Sequence, residues 1–355
     1  MTYNSLLLEP LAWLYRFSGA AEIGRAASRL AEFMAGWCFP DGCTVGAFDG
    51  RQTTAFGFGV PVCPGLELVP SGRTLNARGI QLYEMDEWAD SGVRGSAWYD
   101  HFGLFFFASA LRYYSEMTPV AERERAADDA AGLPVDLEGV REHHSPTFDG
   151  LLARKGKWCL GLSSQFSDIP RQAQDIFRLE RASRIELWHA DARLALGGGH
   201  NRKDWPIPYA NAVLDTGFAG ETQFGRMDQE QYPQRRGYYL PHACESLLVD
   251  GQPELALHFA HGTVCFRIRL AEDGAAHIEA RWEVRRVKRL CLQLPVVVWR
   301  DAALKLDGTP VSNASASPLT VAREVTAAGG PFRSSVTLRI PEGVPARVHY
   351  PLSPL

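Results

Sequence analysis

Apolar and polar residues alternate with period two over much of the C-terminal half of the chain. Val264, Phe266, Ile268 and Leu270 alternate with Cys265, Arg267 and Arg269, Glu272-Asp273-Gly274 turns the chain, and Ile278, Ala280 and Trp282 then alternate with His277, Glu279 and Arg281. Strict alternation gives a strand one buried and one wet face, so the pattern predicts an antiparallel hairpin. Similar runs occur at Trp158–Leu162, Ile185–Trp188, Arg193–Leu196, Leu255–Phe259, Leu290–Trp299, Val336–Ile340 and Arg347–Tyr350. Roughly a dozen strands without intervening helical patterns predict a large antiparallel sandwich over 151–355 and exclude a βαβ arrangement.

The N-terminal part follows a different period. Ile23, Ala26, Ala27, Leu30, Phe33, Met34 and Trp37 recur at helical spacing, and Leu7, Leu11 and Leu14 form a similar stripe before a break at Ser18-Gly19. Together they predict a helical hairpin. A Gly/Pro-rich loop from Phe39 to about Ser71 follows, then a helix from about Ala97 to Met117 whose stretch Phe102–Ala108 is apolar on every side. Residues 119–150, with Glu122, Arg123, Glu124, Arg125, Asp128 and Asp129 ahead of Gly132-Leu133-Pro134, read as a solvated connector. The expected organisation is therefore α+β and multidomain: a helical part over 1–118, a connector over 119–150 and the antiparallel part.

Composition narrows the function classes. A net charge of −4 and a pI near 6.2 provide no basic field for nucleic acid or anionic lipid. No apolar run approaches the roughly 20 residues of a membrane-spanning helix. The N-terminus lacks a basic leader and places Glu9 within its apolar stretch, so a signal peptide is not expected. The seven cysteines form no CxxC pair, which disfavours zinc ribbons and thioredoxin chemistry and mildly favours a reducing compartment. Cys265 and Cys291 read as buried thiols, while His189 with Asp191, or His258 with His261, does not complete a zinc set. No metal or cofactor is expected. Arg281, Arg285, Arg286, Lys288 and Arg289 form one basic concentration, read as a solvated face.

Several local patterns accompany the order of helices before strands. They are Pro40-Asp41-Gly42, Phe48-Asp49-Gly50-Arg51, Trp98-Tyr99-Asp100-His101, Ile169-Pro170-Arg171, the run Ser183-Arg184-Ile185-Glu186-Leu187-Trp188-His189, and Gly197-Gly198-Gly199-His200-Asn201. The combination resembles the C-terminal portion of heparinase II/III-like polysaccharide lyases, in which an (α/α)6 toroid precedes a β-supersandwich. The resemblance covers the strand-rich part and the last few toroid helices. It implies β-elimination on a uronic-acid glycan, with Tyr and His as acid and base in a cleft where toroid meets sandwich, and a family setting that is often periplasmic or secreted.

The residue types suit that chemistry. Elimination removes the proton α to a carboxylate and protonates the leaving oxygen, which Tyr99 and His101 could do if local charges bring their pKa values towards working pH. Two residues apart on a helix, they point roughly 200° from one another, so they share a site only if Asp100 is the N-cap and Tyr99 lies outside the helix. Asp49 and Arg51 are candidates for sugar hydroxyls or a carboxylate, although a plain turn explains Asp49-Gly50 equally well. Trp98 and Trp88 are stacking candidates that could equally be core, and the Gly197–Gly199 run aims His200 outward. Two other readings stay open: glycoside hydrolysis pairing Asp49 with Glu84 or Asp86, and a non-catalytic carbohydrate-binding sandwich. A closed toroid needs on the order of 12 helices of 11–12 residues, more than 118 residues hold. The expectation is thus a C-terminal part of a fuller enzyme, or a helical face covered by self-association.

Overall fold

The computed structural model describes residues 2–48, 63–84, 108–113, 115, 132–146, 148–165, 184–197, 211–215, 238–239, 241–272, 274–285, 287, 289–294, 303–310, 319–324 and 332–340. Two compact units emerge: Met1–Val45 with Gly57–Glu138 and Leu352–Leu355, and Gly46–Phe56 with Gly139–Pro351. The fold is α+β with a strand-rich part. No helix among the described residues is long and apolar enough to cross a membrane.

In the first unit, α1 (Thr2–Ser18) and α2 (Ala21–Gly36) form the expected hairpin. α2 buries Gly24, Ala27, Ala31, Met34 and Ala35, a face rotated slightly from the one its larger apolar residues suggest. In α1 the stripe through Leu7, Leu11 and Leu14 is not the buried one. Leu8 and Ala12 are fully buried, while Leu7 and Leu14 are about half exposed. Apolar residues cover most of the circumference of this helix, so its sequence does not fix which of them pack. The stretch expected to remain loop as far as Ser71 gives way to α3 (Pro70–Glu84). Pro70 occupies the first helical position, where a missing N–H costs nothing. The helix expected through Phe102–Phe107 lies outside the described residues; residues 108–113 are helical and bury Ala110 and Tyr113.

The Pro40-Asp41-Gly42 pattern forms a tight turn, closed by the Phe39 N–H on the Cys43 carbonyl at 2.8 Å and the Gly42 N–H on the Phe39 carbonyl at 2.9 Å. Arg78 of α3 donates to the Pro40 carbonyl and, in a fork, to Asp136 at 2.8 and 2.5 Å. Asp136 also accepts from the Leu133 N–H at 2.7 Å. One carboxylate thus caps a short 3-10 turn and holds a guanidinium that anchors a second turn. Asp136→Ala is expected to cost about 2 kcal/mol in urea unfolding, because it strands a charged fork as well as removing a cap. A change below about 0.5 kcal/mol would show the clamp to be solvent-screened.

The second unit begins its strands at β1 (Gly139–His144), inside the stretch read as connector. Most of β1 is exposed on both faces, so no apolar alternation marks it in the sequence. It pairs in the antiparallel sheet β1-β2-β3-β4-β5, with β2 at Asp149–Lys155, β3 at Trp158–Ser163, β4 at Ile185–His189 and β5 at Arg193–Leu196. A seven-stranded sheet runs β14-β13-β16-β11-β10-β9-β8, and a four-stranded one β15-β12-β6-β7. The strands involved are β6 (Ala212–Asp215), β7 (Tyr238–Tyr239), β8 (Ala243–Val249), β9 (Gln252–Phe259), β10 (Gly262–Leu270), β11 (Ala275–Val284), β12 (Arg289–Leu294), β13 (Ala303–Leu306), β14 (Thr309–Pro310), β15 (Leu319–Glu324) and β16 (Phe332–Arg339). Every described pairing is antiparallel. The predicted hairpin is β10–β11, with Ile268 opposite Ile278 and Val264 opposite Trp282. One hydrophobic core joins the sheets: Leu160 and Leu187 from the first, Phe266 and Ile278 from the second, Leu214 and Leu292 from the third.

The outer face of the seven-stranded sheet carries a ladder of charge. Arg267 meets Glu254 at 2.9 Å, Arg281 meets Glu279 at 2.8 Å, and Arg333 approaches Glu279 at 3.7 Å. The Arg281 hydrogen bond holds Glu279 below the usual carboxylate range. Arg285, from the same basic cluster, is exposed beside Glu283. Cys265 stands on this face and is only half-buried, so its reading as a buried thiol is corrected: alternation puts it beside Arg267. Cys291 is described only as a position in β12.

Candidate functional site

Tyr99, His101, Asp49, Arg51, Trp98 and His200 all lie outside the described residues, as do Trp88, Asp86 and Ile169-Pro170-Arg171. What the structure describes is the second-unit framework from which two of these segments depart. Gly46–Phe48 forms a 3-10 turn immediately before Asp49, and Gly197 ends β5 immediately before the remainder of the glycine run and His200.

Both points converge on Glu186 in the middle of β4. All five residues of β4 are buried, and Glu186 is 2% exposed. A Cβ on Gly46 would stand 2.6 Å from the Glu186 Oε1 atom, and a Cβ on Gly197 would stand 2.5 Å from its Cγ and 2.9 Å from its Cα. A side chain at Gly197 would meet backbone, and one at Gly46 would displace the carboxylate end of Glu186. Gly197 also has φ +125°, a conformation that L side chains rarely adopt. Glycine therefore lets two separate segments lie against one acidic side chain.

Polar groups stitch the neighbouring chain ends. Arg184, 1% exposed and two residues before Glu186, has its N–H on the Asn211 Oδ1 atom at 2.7 Å and its Nε on the Gln165 carbonyl at 3.2 Å. Asn211 is fully buried with φ +62°, a left-handed conformation that Asn tolerates better than most residues. The Cys244 thiol donates to the Ser164 carbonyl at 2.8 Å, and burial pushes its pKa up despite Arg184 nearby. At the far end of β4, His189 meets the Trp158 ring edge-on at 4.6 Å, and its Nδ1 accepts from the Asp191 N–H at 3.2 Å. That contact leaves the proton of the neutral ring on Nε2. Burial lowers the His189 pKa, so the ring is held neutral. Among the described residues no group of three or more His, Cys, Asp or Glu is arranged to hold a metal ion.

The first unit contains a second titratable cluster. Glu67 folds back so that both carboxylate oxygens meet the Gly65 N–H, at 3.0 and 2.9 Å. Arg73 donates instead to the Glu67 backbone carbonyl at 3.1 Å. The buried Tyr113 hydroxyl lies near the carboxylate but beyond a well-formed hydrogen bond. Burial pushes the Glu67 pKa up to about 7, and the Gly65 N–H, Tyr113 and Arg73 offset only part of that rise. Tyr113, buried beside this acid, has its own pKa raised. Trp13 packs on Tyr113 at 5.0 Å, and its indole N–H donates to Ser109, which donates to Glu9.

Sequence reasoning quoted Glu186 only as part of a longer motif and did not reach Glu67 or Tyr113. A signal for Glu186 was present: an acid inside the otherwise apolar run Ile185-Leu187-Trp188, with a glycine run after the next apolar segment. Nothing comparable marks Glu67, whose local partners Gly65 and Arg73 are ordinary and whose neighbour Tyr113 comes from a distant part of the sequence.

No family model matches the chain, and no curated protein matches it. Two solved structures of a heparinase III gene product are distantly similar. One, with methylated lysines, has 10% identity over 90% of this chain and 46% of its own, at a TM-score of 0.39. The other has 10% identity over 94% of this chain and 58% of its own, at a TM-score of 0.33. The chain spans about half the length of these structures.

Proposed function

We propose that this chain is a carbohydrate-active, polysaccharide-lyase-like protein that acts by β-elimination on a uronate-containing glycan. In this reading the helical part belongs to an (α/α) toroid and the strands form a β-supersandwich. Tyr99 and His101 exchange the protons, while Asp49, Arg51, Trp98 and His200 hold the sugar. The observation that carries the reading is the convergence on Glu186 of Gly46 and Gly197, from which the segments bearing Asp49, Arg51 and His200 continue. The resemblance of the sequence motifs to heparinase II/III-like lyases supplies the substrate class.

The chemistry follows from the substrate. An Arg such as Arg51 pairs with the uronate carboxylate and so favours the carbanion-like transition state. A base takes the proton α to that carboxylate, the glycosidic C–O bond breaks as the double bond forms, and an acid returns a proton to the leaving oxygen. The test is digestion of a panel of uronate polysaccharides, followed by the ultraviolet absorbance of the unsaturated uronide. Tyr99→Phe and His101→Ala are each expected to lower that rate by at least about 100-fold. Full activity in both variants would dismiss them as catalysts, and absence of absorbance with every uronate substrate would remove the lyase reading.

A further inference from the structure

We propose that the outer face of the seven-stranded sheet holds a binding strip for an acidic polysaccharide, in which Arg269 and Lys305 take the carboxylate or sulfate groups of an extended chain. The choice of ligand rests on the carbohydrate reading, whereas the strip itself rests on strand register and charge. Arg269 on β10 stands opposite His277 on β11, His277 opposite Thr337 on β16, and Thr337 opposite Lys305 on β13. The alternating residues Ile268, Ile278, Val336 and Leu338 belong to the core, so these four share the face turned away from it. Arg269 and Lys305 are both exposed.

The row differs from the rest of this face in its lack of acids. Further along the same strands, Arg267 meets Glu254, while Arg281 and Arg333 share Glu279. Among the described residues no ion pair reaches Arg269 or Lys305. The described acids nearest to them along the chain are engaged elsewhere. Glu272 meets Lys155 at 3.2 Å, and Asp307 accepts from the Ser334 hydroxyl at 3.0 Å and the Ser335 N–H at 2.6 Å. Two cations thus face water without a local counter-charge, on a chain whose net charge is −4. Their field is opposite in sign to that of the whole molecule. Adjacent strands lie about 4.8 Å apart, so Arg269 and Lys305 spring from backbones about 14 Å apart. Between them His277 and Thr337 share a hydrogen bond at 3.0 Å, a polar floor for sugar hydroxyls. Two separated cations flanking such a floor suit a linear polyanion better than a single small anion. None of the four side chains presents a large aromatic face of the Phe, Tyr or Trp kind, so the strip offers nucleic acid no such stacking platform.

Binding of fluorescently labelled heparin and oligogalacturonate fragments to the full chain, followed by anisotropy, tests the proposal. Arg269→Gln combined with Lys305→Gln is expected to weaken binding of at least one of them by about tenfold or more. Both positions are exposed, so the urea midpoint should not move. Arg269→Lys combined with Lys305→Arg keeps both charges and should bind nearly as the parent does. Arg285→Gln removes an exposed cation just past β11, outside the row, and should leave affinity nearly unchanged. Equal weakening by Arg285→Gln would reveal diffuse attraction and overturn the strip. Absence of binding by the parent, unchanged affinity in the double Gln variant, or a preference for single-stranded DNA of equal charge would overturn it too. Release of unsaturated uronide, measured alongside, keeps the two readings apart. Strip-dependent binding without turnover of any uronate polymer would uphold the strip and remove the lyase reading. Turnover with binding indifferent to the strip would do the reverse.

Discussion

Trp158→Ala is expected to cost about 3–5 kcal/mol of folding stability, the range for emptying a large buried aromatic site. Trp158 is 1% exposed on β3 and contributes to the core shared by the three sheets. Its indole N–H donates to the Gly274 carbonyl at 2.9 Å, in the turn between β10 and β11. Removing the ring therefore opens a cavity and leaves a carbonyl between two sheets without its donor. Trp158→Phe keeps much of the buried area and loses the donor, so about half the cost is expected. The ring also shields His189, whose pKa is depressed by burial. In Trp158→Ala the His189 pKa should move back up towards the ordinary histidine value, read from its ring proton shifts. A loss below about 1 kcal/mol, with His189 titrating unchanged, would show that the core closes over the gap.

Glu67→Gln is expected to stabilise the protein by up to about 3 kcal/mol at pH 8 and to change little at pH 4. The folded-state pKa is about 7 against an ordinary 4.5. Below 4.5 the carboxyl is protonated in both folded and unfolded chains, and burial carries no ionisation penalty. Between 4.5 and 7 the unfolded chain releases its proton while the folded chain keeps it, so stability falls as pH rises. Above 7 both forms are ionised and the loss is complete. Gln stays neutral throughout and avoids the loss, while its amide oxygen still accepts from the Gly65 N–H. Urea unfolding of both proteins at pH 4, 6 and 8 measures the difference. Parallel stability curves across that range would show that the carboxylate is solvated well enough to ionise freely.

The strands were legible where one face is wet and the other dry. The β10–β11 hairpin and the place of its turn followed from alternation and a turn signal. Legibility failed where burial is uniform or absent. Most of β1 is exposed, so it reads as connector, and apolar residues cover most of the circumference of α1, so Leu8 and Ala12 do not stand out over Leu7 and Leu14. α3 starts at the end of the stretch that reads as Gly/Pro-rich loop, although Pro70 suits a helix start. The candidate site divides the same way. Motif reading includes Glu186 in the run Ser183–His189 but gives it no role of its own, because its surroundings come from glycines about 140 residues before and 11 after it.

The charge ladder on the seven-stranded sheet has a consequence for fidelity more than for strength. Partly exposed pairs such as Arg281 with Glu279 add little free energy. A strand that slipped by one residue, however, would exchange its two faces. Arg267, Glu279 and Arg281 would enter the core, while Phe266, Ile278 and Trp282 would turn to water. Desolvating those charges would cost far more than the correct pairing gains from them. The ladder acts as a proofreading edge, penalising wrong alignments of long strands that would otherwise zip together almost as well one notch away.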